Sequence, residues 1–481
     1  MTDSQLLETI SGRITGLTAD SRTVQPGFLF AAFPPSSLAS KTDGRDYVAE
    51  AIAKGATVLL LPTGTPNPAL DGVTVIESDE PRRDFSRFAA AFYPQQPATM
   101  VAVTGTSGKT SVADFTRQIW AYMGYKAASL GTLGIVAGDL TRYGSLTTPD
   151  AASLHADLAS LAQHGITHAV IEASSHGLDQ FRLDGVRLTA AAFTNLSRDH
   201  LDYHPDMHSY LAAKLRLFTD VLPMGGTAVL NEDVPEYTAL AVACAEHELK
   251  TIRYGSTTEA ELRLLDRTPL PQGQILELAV NGQRYHAEIG LIGSFQAMNV
   301  LAALGLVIGS GGRVGEAIAA LQHLQGVPGR LENVATTANG ATVFVDYAHK
   351  PGALETVLTA IRPHVKGELV LVFGCGGDRD QGKRPLMGKI AARLADRVYV
   401  TDDNPRREEP AKVRAAIMAA CPGATEVGDR AAAIAIAIAS LQPGDVLVIA
   451  GKGHEPGQIV GDKVLPFNDA EVARSLIRTA A

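Results

Sequence analysis

Thr104-Gly105-Thr106-Ser107-Gly108-Lys109-Thr110 brings together what a polyphosphate site needs. Two glycines let backbone N–H groups approach an anion, a lysine can reach outer phosphates, and a threonine hydroxyl can ligate Mg²⁺. An apolar run, Thr99–Val103, leads into the loop, and a helical pattern from Ser111 to Met123 leads out of it. That context puts the loop at a helix N-terminus, where partial positive charge favours anions. The loop is short. Only Thr106 and Ser107 separate Gly105 from Gly108, whereas the common phosphate loop has four residues there, so a distinct nucleotide-binding family is expected.

Other residue types capable of chemistry recur downstream. Glu172, in Ile171-Glu172-Ala173-Ser174-Ser175-His176-Gly177, closes a strand pattern and could hold Mg²⁺, since hard cations take oxygen ligands. A capping or solvated carboxylate is the plain alternative. Thr194-Asn195-Leu196-Ser197-Arg198-Asp199-His200-Leu201-Asp202-Tyr203-His204 ends the next strand, and His200 there is either a metal ligand or a structural histidine. Lys214 lies among Leu211, Leu215 and Leu217, which by pattern alone makes it a surface lysine with its stem along apolar neighbours. Arg379 and Arg406 offer planar forks suited to carboxylates, and Glu455 could face an ammonium. Aimed at one pocket, they would suit an amino acid with an extra carboxylate; separately they are surface ion pairs.

The elements that must position these residues follow from the hydrophobic pattern. A chain of 481 residues exceeds one ordinary core. Residues 1–96 read as a βαβ-like fragment: strands at Gly27–Phe33 and Thr57–Leu61 flank a helix at Tyr47–Gly55, and Tyr93–Pro97 is a linker. Strands are expected at Thr99–Val103, His168–Ala173, Leu188–Thr194, Thr227–Asn231 and Thr251–Tyr254. Helices at Ala151–His164 and Asp206–Thr219 separate some of them, which predicts a parallel sheet. Leu262–Ile292 alternates around turns at Pro271-Gln272-Gly273 and Asn281-Gly282, a β insertion; Ser294–Ile308 is helical and Gly326–Gly329 a hinge. Beyond it, strands at Val343–Tyr347, Leu369–Phe373, Val398–Thr401 and Val446–Ala450 alternate with helices at Pro351–Ile361, Arg384–Ala395, Ala411–Ala420 and Asp429–Ser440. Polar clusters follow all four strands, where ligands sit in open α/β sheets.

Composition narrows the function. A net charge of −9 without blocks of like charge excludes nucleic acid and anionic membranes as natural partners. Three scattered cysteines form no zinc motif and suit a reducing cytoplasm. Met1-Thr2-Asp3-Ser4-Gln5 has no signal-peptide character, and the apolar Ala431–Ala439 is too short to span a bilayer.

Together these residues resemble the Mur ligase family, in its diaminopimelate-adding branch. The likeness rests on Gly105–Thr110, Glu172–Leu178, Thr194–His204, Gly374–Arg379, Asp403-Asn404-Pro405-Arg406 and Gly451–Glu455, and covers nearly the whole chain. It implies an α/β protein of three domains. These are an N-terminal uridine-nucleotide-binding domain (1–96), a central ATP-binding domain of phosphate-loop type (97–328) and a C-terminal Rossmann-like amino-acid domain (329–481). The implied activity is an ADP-forming ligation in peptidoglycan precursor synthesis, with ATP and Mg²⁺, by a cytoplasmic monomer acting on small molecules. ATP would be held by Gly105, Thr106, Ser107, Gly108, Lys109, Thr110 and Ser111, with Asn299, Arg330 and Asp346 on its adenine, phosphate and ribose side. Thr110, Glu172, His200 and Lys214, the last carried as a carbamate, would hold the metal. Ser21, Thr147, Thr148, Ser174, Gln180 and Arg182 would bind the UDP-muramoyl dipeptide. Arg379, Asp403, Asn404, Pro405, Arg406, Gly451 and Glu455 would bind meso-diaminopimelate; relatives that add lysine generally lack the equivalent of Arg406. Lys109, Lys214 and His204 are the implied catalytic groups, with His204 and the carbamate both open as the base that frees the incoming amine. Closure at Pro328-Gly329 would precede chemistry. Ser107 and Gln296 each stand where the family has Asn. Two other readings compete: a folylpolyglutamate synthase-like ligase, which has no need of Asp403–Arg406, and a nucleotide-binding protein without turnover.

Overall fold

Runs such as Met100–Val103 and Leu369–Phe373 are apolar at every position, so they must be covered on both faces. The computed structural model, which describes residues 12–35, 42–66, 72–138, 140–142, 144, 146–270 and 272–480, covers them with helices. The N-terminal Met1–Gln5 and Pro271, named above, lie outside the described residues. The chain divides into two compact units, residues 1–264, 278–285 and 298–320, and residues 265–277, 286–297 and 321–481.

The first unit carries two sheets. Gly16–Thr18, Phe28–Ala31, Val58–Pro62 and Thr74–Ser78 pair in that order, all parallel. The second sheet runs Lys250–Gly255, Thr227–Asn231, Ala190–Phe193, Thr99–Thr104, His168–Glu172 and Ala127–Gly131 in parallel, then turns antiparallel through Gly134–Ala137 and Leu140–Arg142. Leu262–Leu270, Gly273–Val280 and Gln283–Ile289 extend its other edge, with residues 265–277 and 286–297 grouping with the second unit. The strand Thr99–Thr104 therefore sits between Ala190–Phe193 and His168–Glu172. All three chain segments leave the sheet at the same edge, which brings the phosphate-loop, Glu172 and Thr194–His204 segments together.

Two helices in this unit bear on the site. Lys109–Tyr122 starts directly from the loop, with Gly108 as its cap at φ 88°. Met207–Arg216 starts at Asp206, whose carboxylate accepts the Ser209 N–H at 2.7 Å. The helix expected to reach Thr219 instead stops at Arg216 and widens into a π turn over Leu217–Val221, a feature frequent near functional groups.

In the second unit the sheet order is Glu332–Thr336, Thr342–Asp346, Val446–Ala450, Leu369–Phe373, Arg397–Val400 and Thr425–Glu426, parallel after the first, antiparallel pair. Alternate residues feed two cores. Leu369, Leu371 and Phe373 pack with Leu354, Leu358, Met387 and Ile417, while Val370 and Val372 pack with Ala433, Ile434, Ala437 and Ala473. The four strands that carry polar clusters at their C-terminal ends are consecutive neighbours, so all four clusters share one sheet edge. Among the described residues no helix is long and apolar enough to cross a membrane.

Candidate active site

The phosphate loop is held from behind by the strand-end segment next to it. The Thr106 N–H bonds to the Asn195 carbonyl at 2.8 Å and the Ser107 N–H to Asn195 Oδ1 at 3.0 Å. The Thr194 hydroxyl donates to the Ser107 carbonyl at 2.6 Å. Both glycines are obligatory: a Cβ on Gly105 would lie 1.9 Å from Thr194 Oγ1, and one on Gly108 2.5 Å from Asn299 Oδ1. The second contact also puts Asn299, expected on the adenine side, against the loop. Lys109 folds back, with Nζ at 2.8 Å from the Gly105 carbonyl and 2.9 Å from that of Thr106.

Glu172 is buried, as a solvated carboxylate would not be. Its Oε2 accepts from the Thr110 hydroxyl at 3.1 Å, and its Oε1 from the Thr132 N–H at 2.8 Å. The Thr132 hydroxyl lies 3.1 Å from Thr147 Oγ1, which ties the carboxylate to an expected acceptor-binding residue. Among the described residues, no three His, Cys, Asp or Glu side chains are grouped to hold a metal ion. The expected ligand set has only two of those types, Glu172 and His200.

Lys214 corrects the reading from pattern alone. Only 1% of it is exposed. Helical spacing stacks it four residues beyond Tyr210, with Nζ 4.4 Å from that ring's centroid, and Nζ donates to the Gly105 carbonyl at 2.8 Å. Burial, reinforced by the Lys109 charge, pushes its amine well below the usual lysine range. Tyr210 also belongs to a cluster of rings: His200 lies 6.1 Å and His204 5.2 Å from it, and His176 4.8 Å from His200. The His204 Nε2 is buried without a hydrogen-bond partner among the described residues, and burial lowers its pKa. His200 adopts φ 54° and sits 3.4 Å from the Asp199 carboxylate.

Four of the six expected acceptor residues, Thr148, Ser174, Gln180 and Arg182, form a connected network. The Thr148 and Ser174 hydroxyls are 3.0 Å apart, Arg182 donates to the Thr148 carbonyl and to Gln180 Oε1, both at 2.7 Å, and Gln180 donates to Tyr203 Oη at 3.1 Å. Gln180 and Arg182 line a cavity of about 590 Å³ together with Asp20, Phe33, Arg82 and Tyr93. Ser21, next to Asp20, spends its hydroxyl on Glu50 at 3.1 Å.

In the second unit Asp403, Asn404 and Glu455 come together through a residue outside the expected set, Lys452, with Arg406 near the Asn404 carbonyl and Gly451 against Asp403. Its fully buried Nζ donates to Asn404 Oδ1 at 3.1 Å, Glu455 Oε2 at 3.0 Å and the Gly457 carbonyl at 2.7 Å, with Asp403 at 4.0 Å. Arg406 (φ 54°) donates to the Gly377 carbonyl at 3.0 Å, which links the Gly374–Arg379 loop to the cluster; Arg379 stands exposed on that loop. Asp346 accepts the Leu331 and Ala348 N–H groups, both at 2.7 Å, and burial lifts its carboxyl to about 6. Arg330 covers the Tyr347 ring at 4.6 Å.

Sequence reasoning passed over Lys452, Asn195, Thr132 and Tyr210. Asn195 and Lys452 lay inside motifs already singled out, and Tyr210 was marked by its i, i+4 spacing to Lys214. Thr132 carried no local signal.

The chain matches the model of the Mur ligase middle domain over residues 103–307 and that of the Mur ligase, glutamate ligase domain over residues 329–453. It is 53% identical over 467 residues to the UDP-N-acetylmuramoyl-L-alanyl-D-glutamate–2,6-diaminopimelate ligase of Rhizobium meliloti (strain 1021), covering 96% of this chain and 94% of that one. A solved structure of a ligase of the same name superposes with a TM-score of 0.71 at 32% identity, over 97% of this chain and 95% of the other. A MurF ligase from Thermotoga maritima in complex with ADP shares the fold, with a TM-score of 0.65 at 18% identity over 98% and 99% of the two chains.

Proposed function

The chain belongs to the Mur ligase family, and from that premise we infer that it is an ATP-dependent ligase adding meso-diaminopimelate to UDP-N-acetylmuramoyl-L-alanyl-D-glutamate in peptidoglycan precursor synthesis. The observation that carries this is similarity spread over 96% of the chain to a relative named for that reaction. Three domains, 1–96, 97–328 and 329–481, acting as a cytoplasmic monomer, complete the proposal.

A carboxylate is a poor electrophile. Transfer of the γ-phosphoryl group of ATP to the D-glutamyl γ-carboxylate gives an acyl phosphate and ADP; an uncharged amine of diaminopimelate then attacks, and the tetrahedral adduct expels phosphate to leave the amide. Lys109 would exchange its two loop carbonyls for the outer phosphates, and the N-terminus of Lys109–Tyr122 would offset developing charge. The side-by-side Thr110 hydroxyl and Glu172 carboxylate are hard oxygen donors that suit Mg²⁺, with His200 and Lys214 as the further ligands. When bound, that ion neutralises phosphoryl charge. A lysine amine kept uncharged is the form that adds CO₂, losing one proton as the carbamate N–C bond forms, and this supports Lys214 as the anionic ligand. His204 and that carbamate are both placed in the proposal as candidates to take the amine's proton.

Ser21, Thr147, Thr148, Ser174, Gln180 and Arg182 would hold the acceptor, and Asn299, Arg330 and Asp346 the nucleoside side of ATP. Arg379, Asp403, Asn404, Pro405, Arg406, Gly451 and Glu455 would hold diaminopimelate, Arg406 gripping its second carboxylate. The test is phosphate release with UDP-muramoyl dipeptide, ATP and either diaminopimelate or lysine. Release with diaminopimelate and little with lysine is expected; release with neither, or with lysine alone, overturns the proposal.

A further inference from the structure

We propose that Arg430 is a positioning residue for the diaminopimelate pocket, a buried guanidinium that fixes the departure of two substrate-bearing loops from their strands. The proposal rests on the pocket assignment made above. Arg430 opens the helix Arg430–Ala439, and its side chain and that of Asp469 are both fully buried. Its Nε donates to Asp469 Oδ1 and its Nη2 to Asp469 Oδ2, both at 2.7 Å. The remaining donors turn to the sheet edge: Nη2 reaches the Ala450 carbonyl at 3.0 Å and Nη1 the Asp402 carbonyl at 3.4 Å. Ala450 is the residue before Gly451, and Asp402 the residue before Asp403. Holding a carbonyl fixes the peptide plane from which the next residue leaves, so a single planar fork sets both loops.

Two observations argue against a merely structural pair. A cation in the first turn of a helix opposes the macrodipole, so local stability would not select Arg430 there. Apolar side chains of similar volume usually stabilise a buried site as well as an ion pair, without its desolvation cost. What the pair adds is directional anchoring, and the loops need it because they meet without slack. A Cβ on Gly451, at φ 118°, would stand 3.2 Å from Asp403 Oδ2.

The experiment compares Arg430→Met/Asp469→Leu and Arg430→Lys with the wild-type full chain, reading thermal melting and separate KM values for diaminopimelate and ATP. The double variant should melt within a few degrees of wild type, because the apolar pair replaces the ion pair. Its diaminopimelate KM should rise about tenfold or more, the worth of lost charge-assisted hydrogen bonds, with ATP KM within about twofold. Arg430→Lys, which keeps charge but not the fork, should shift the same KM in the same direction. A folded variant with wild-type diaminopimelate KM overturns the proposal, as does an equal rise in both KM values. Arg406→Ala is measured alongside. An unchanged diaminopimelate KM there removes the pocket itself, whereas a raised one beside unaffected Arg430 variants removes only the positioning role.

Discussion

Two buried lysines stand in opposite surroundings. Lys214 and Lys452 are 1% and 0% exposed. Lys452 donates to a carboxylate, an amide oxygen and a carbonyl, with a second carboxylate 4.0 Å away. Among the described residues, Lys214 donates to the Gly105 carbonyl, which it shares with Lys109, and lies over the Tyr210 ring. Equal burial thus leaves one amine in contact with a carboxylate and the other held by a carbonyl and a ring, with desolvation outweighing the pull of Asp199. The contrast teaches what each region awaits. The Lys452 cluster carries its own counter-charges, whereas the Lys214 amine is held largely by a carbonyl and a ring, a setting that suits the uncharged form from which a carbamate would be made.

The strongest way to break that contrast is at Lys109. If its charge serves the phosphates, Lys109→Ala should lower ADP formation by about 10³-fold or more while the fold survives. A coupled ADP assay and a melt on the same preparation decide it; retained turnover would take the loop out of the mechanism.

A smaller effect is expected at Lys452. Lys452→Met leaves Glu455 and Asn404 without their shared donor, so stability should fall by about 1–3 kcal/mol, discounted because Glu455 is 32% exposed. Diaminopimelate KM should rise about tenfold with ATP KM unchanged. The opposite pattern, ATP affected and diaminopimelate spared, would mean that the paired lysine serves the wrong end.

The sequence exposed these two ends unevenly. Strands Leu369–Phe373 and Val446–Ala450 and helix Pro351–Ile361 fall where expected, because a run buried on both faces and a helix opened by proline are written locally. The strand Ala127–Gly131 is mostly small residues and Gly134–Ala137 is only four residues long, so neither showed a period. The hairpin Gly457–Val460 and Lys463–Pro466 has too few buried positions to alternate. The site residues divide in the same way. The phosphate-loop residues are consecutive, so their shared strand-to-helix turn was legible. Lys214 read as a surface residue because the carbonyl that accepts its hydrogen bond, that of Gly105, lies 109 residues away, and Arg430 meets Asp469 across 39. Contacts of that separation are made by the sheet order, which no local pattern records.

The gentlest test sharpens the comparison with a stability readout alone. A lysine whose folded pKa is depressed binds fewer protons folded than unfolded, so its contribution to stability rises with pH across the interval from the depressed value to about 10.5. Lys214 should therefore give the wild type an upward stability slope on the alkaline side, of at most about 1.4 kcal/mol per pH unit, the limit for one proton. Lys214→Met removes the titrating group and keeps an apolar stem of similar length, so denaturant unfolding of this variant should lack that slope. The measurement belongs in buffer freed of CO₂, because a carbamylated amine no longer carries that proton. Parallel pH curves for the two proteins would mean that the folded chain stabilises a protonated Lys214 as well as water does. The two buried lysines would then differ in partners but not in charge, and the case for an amine held ready for CO₂ would lose its physical basis.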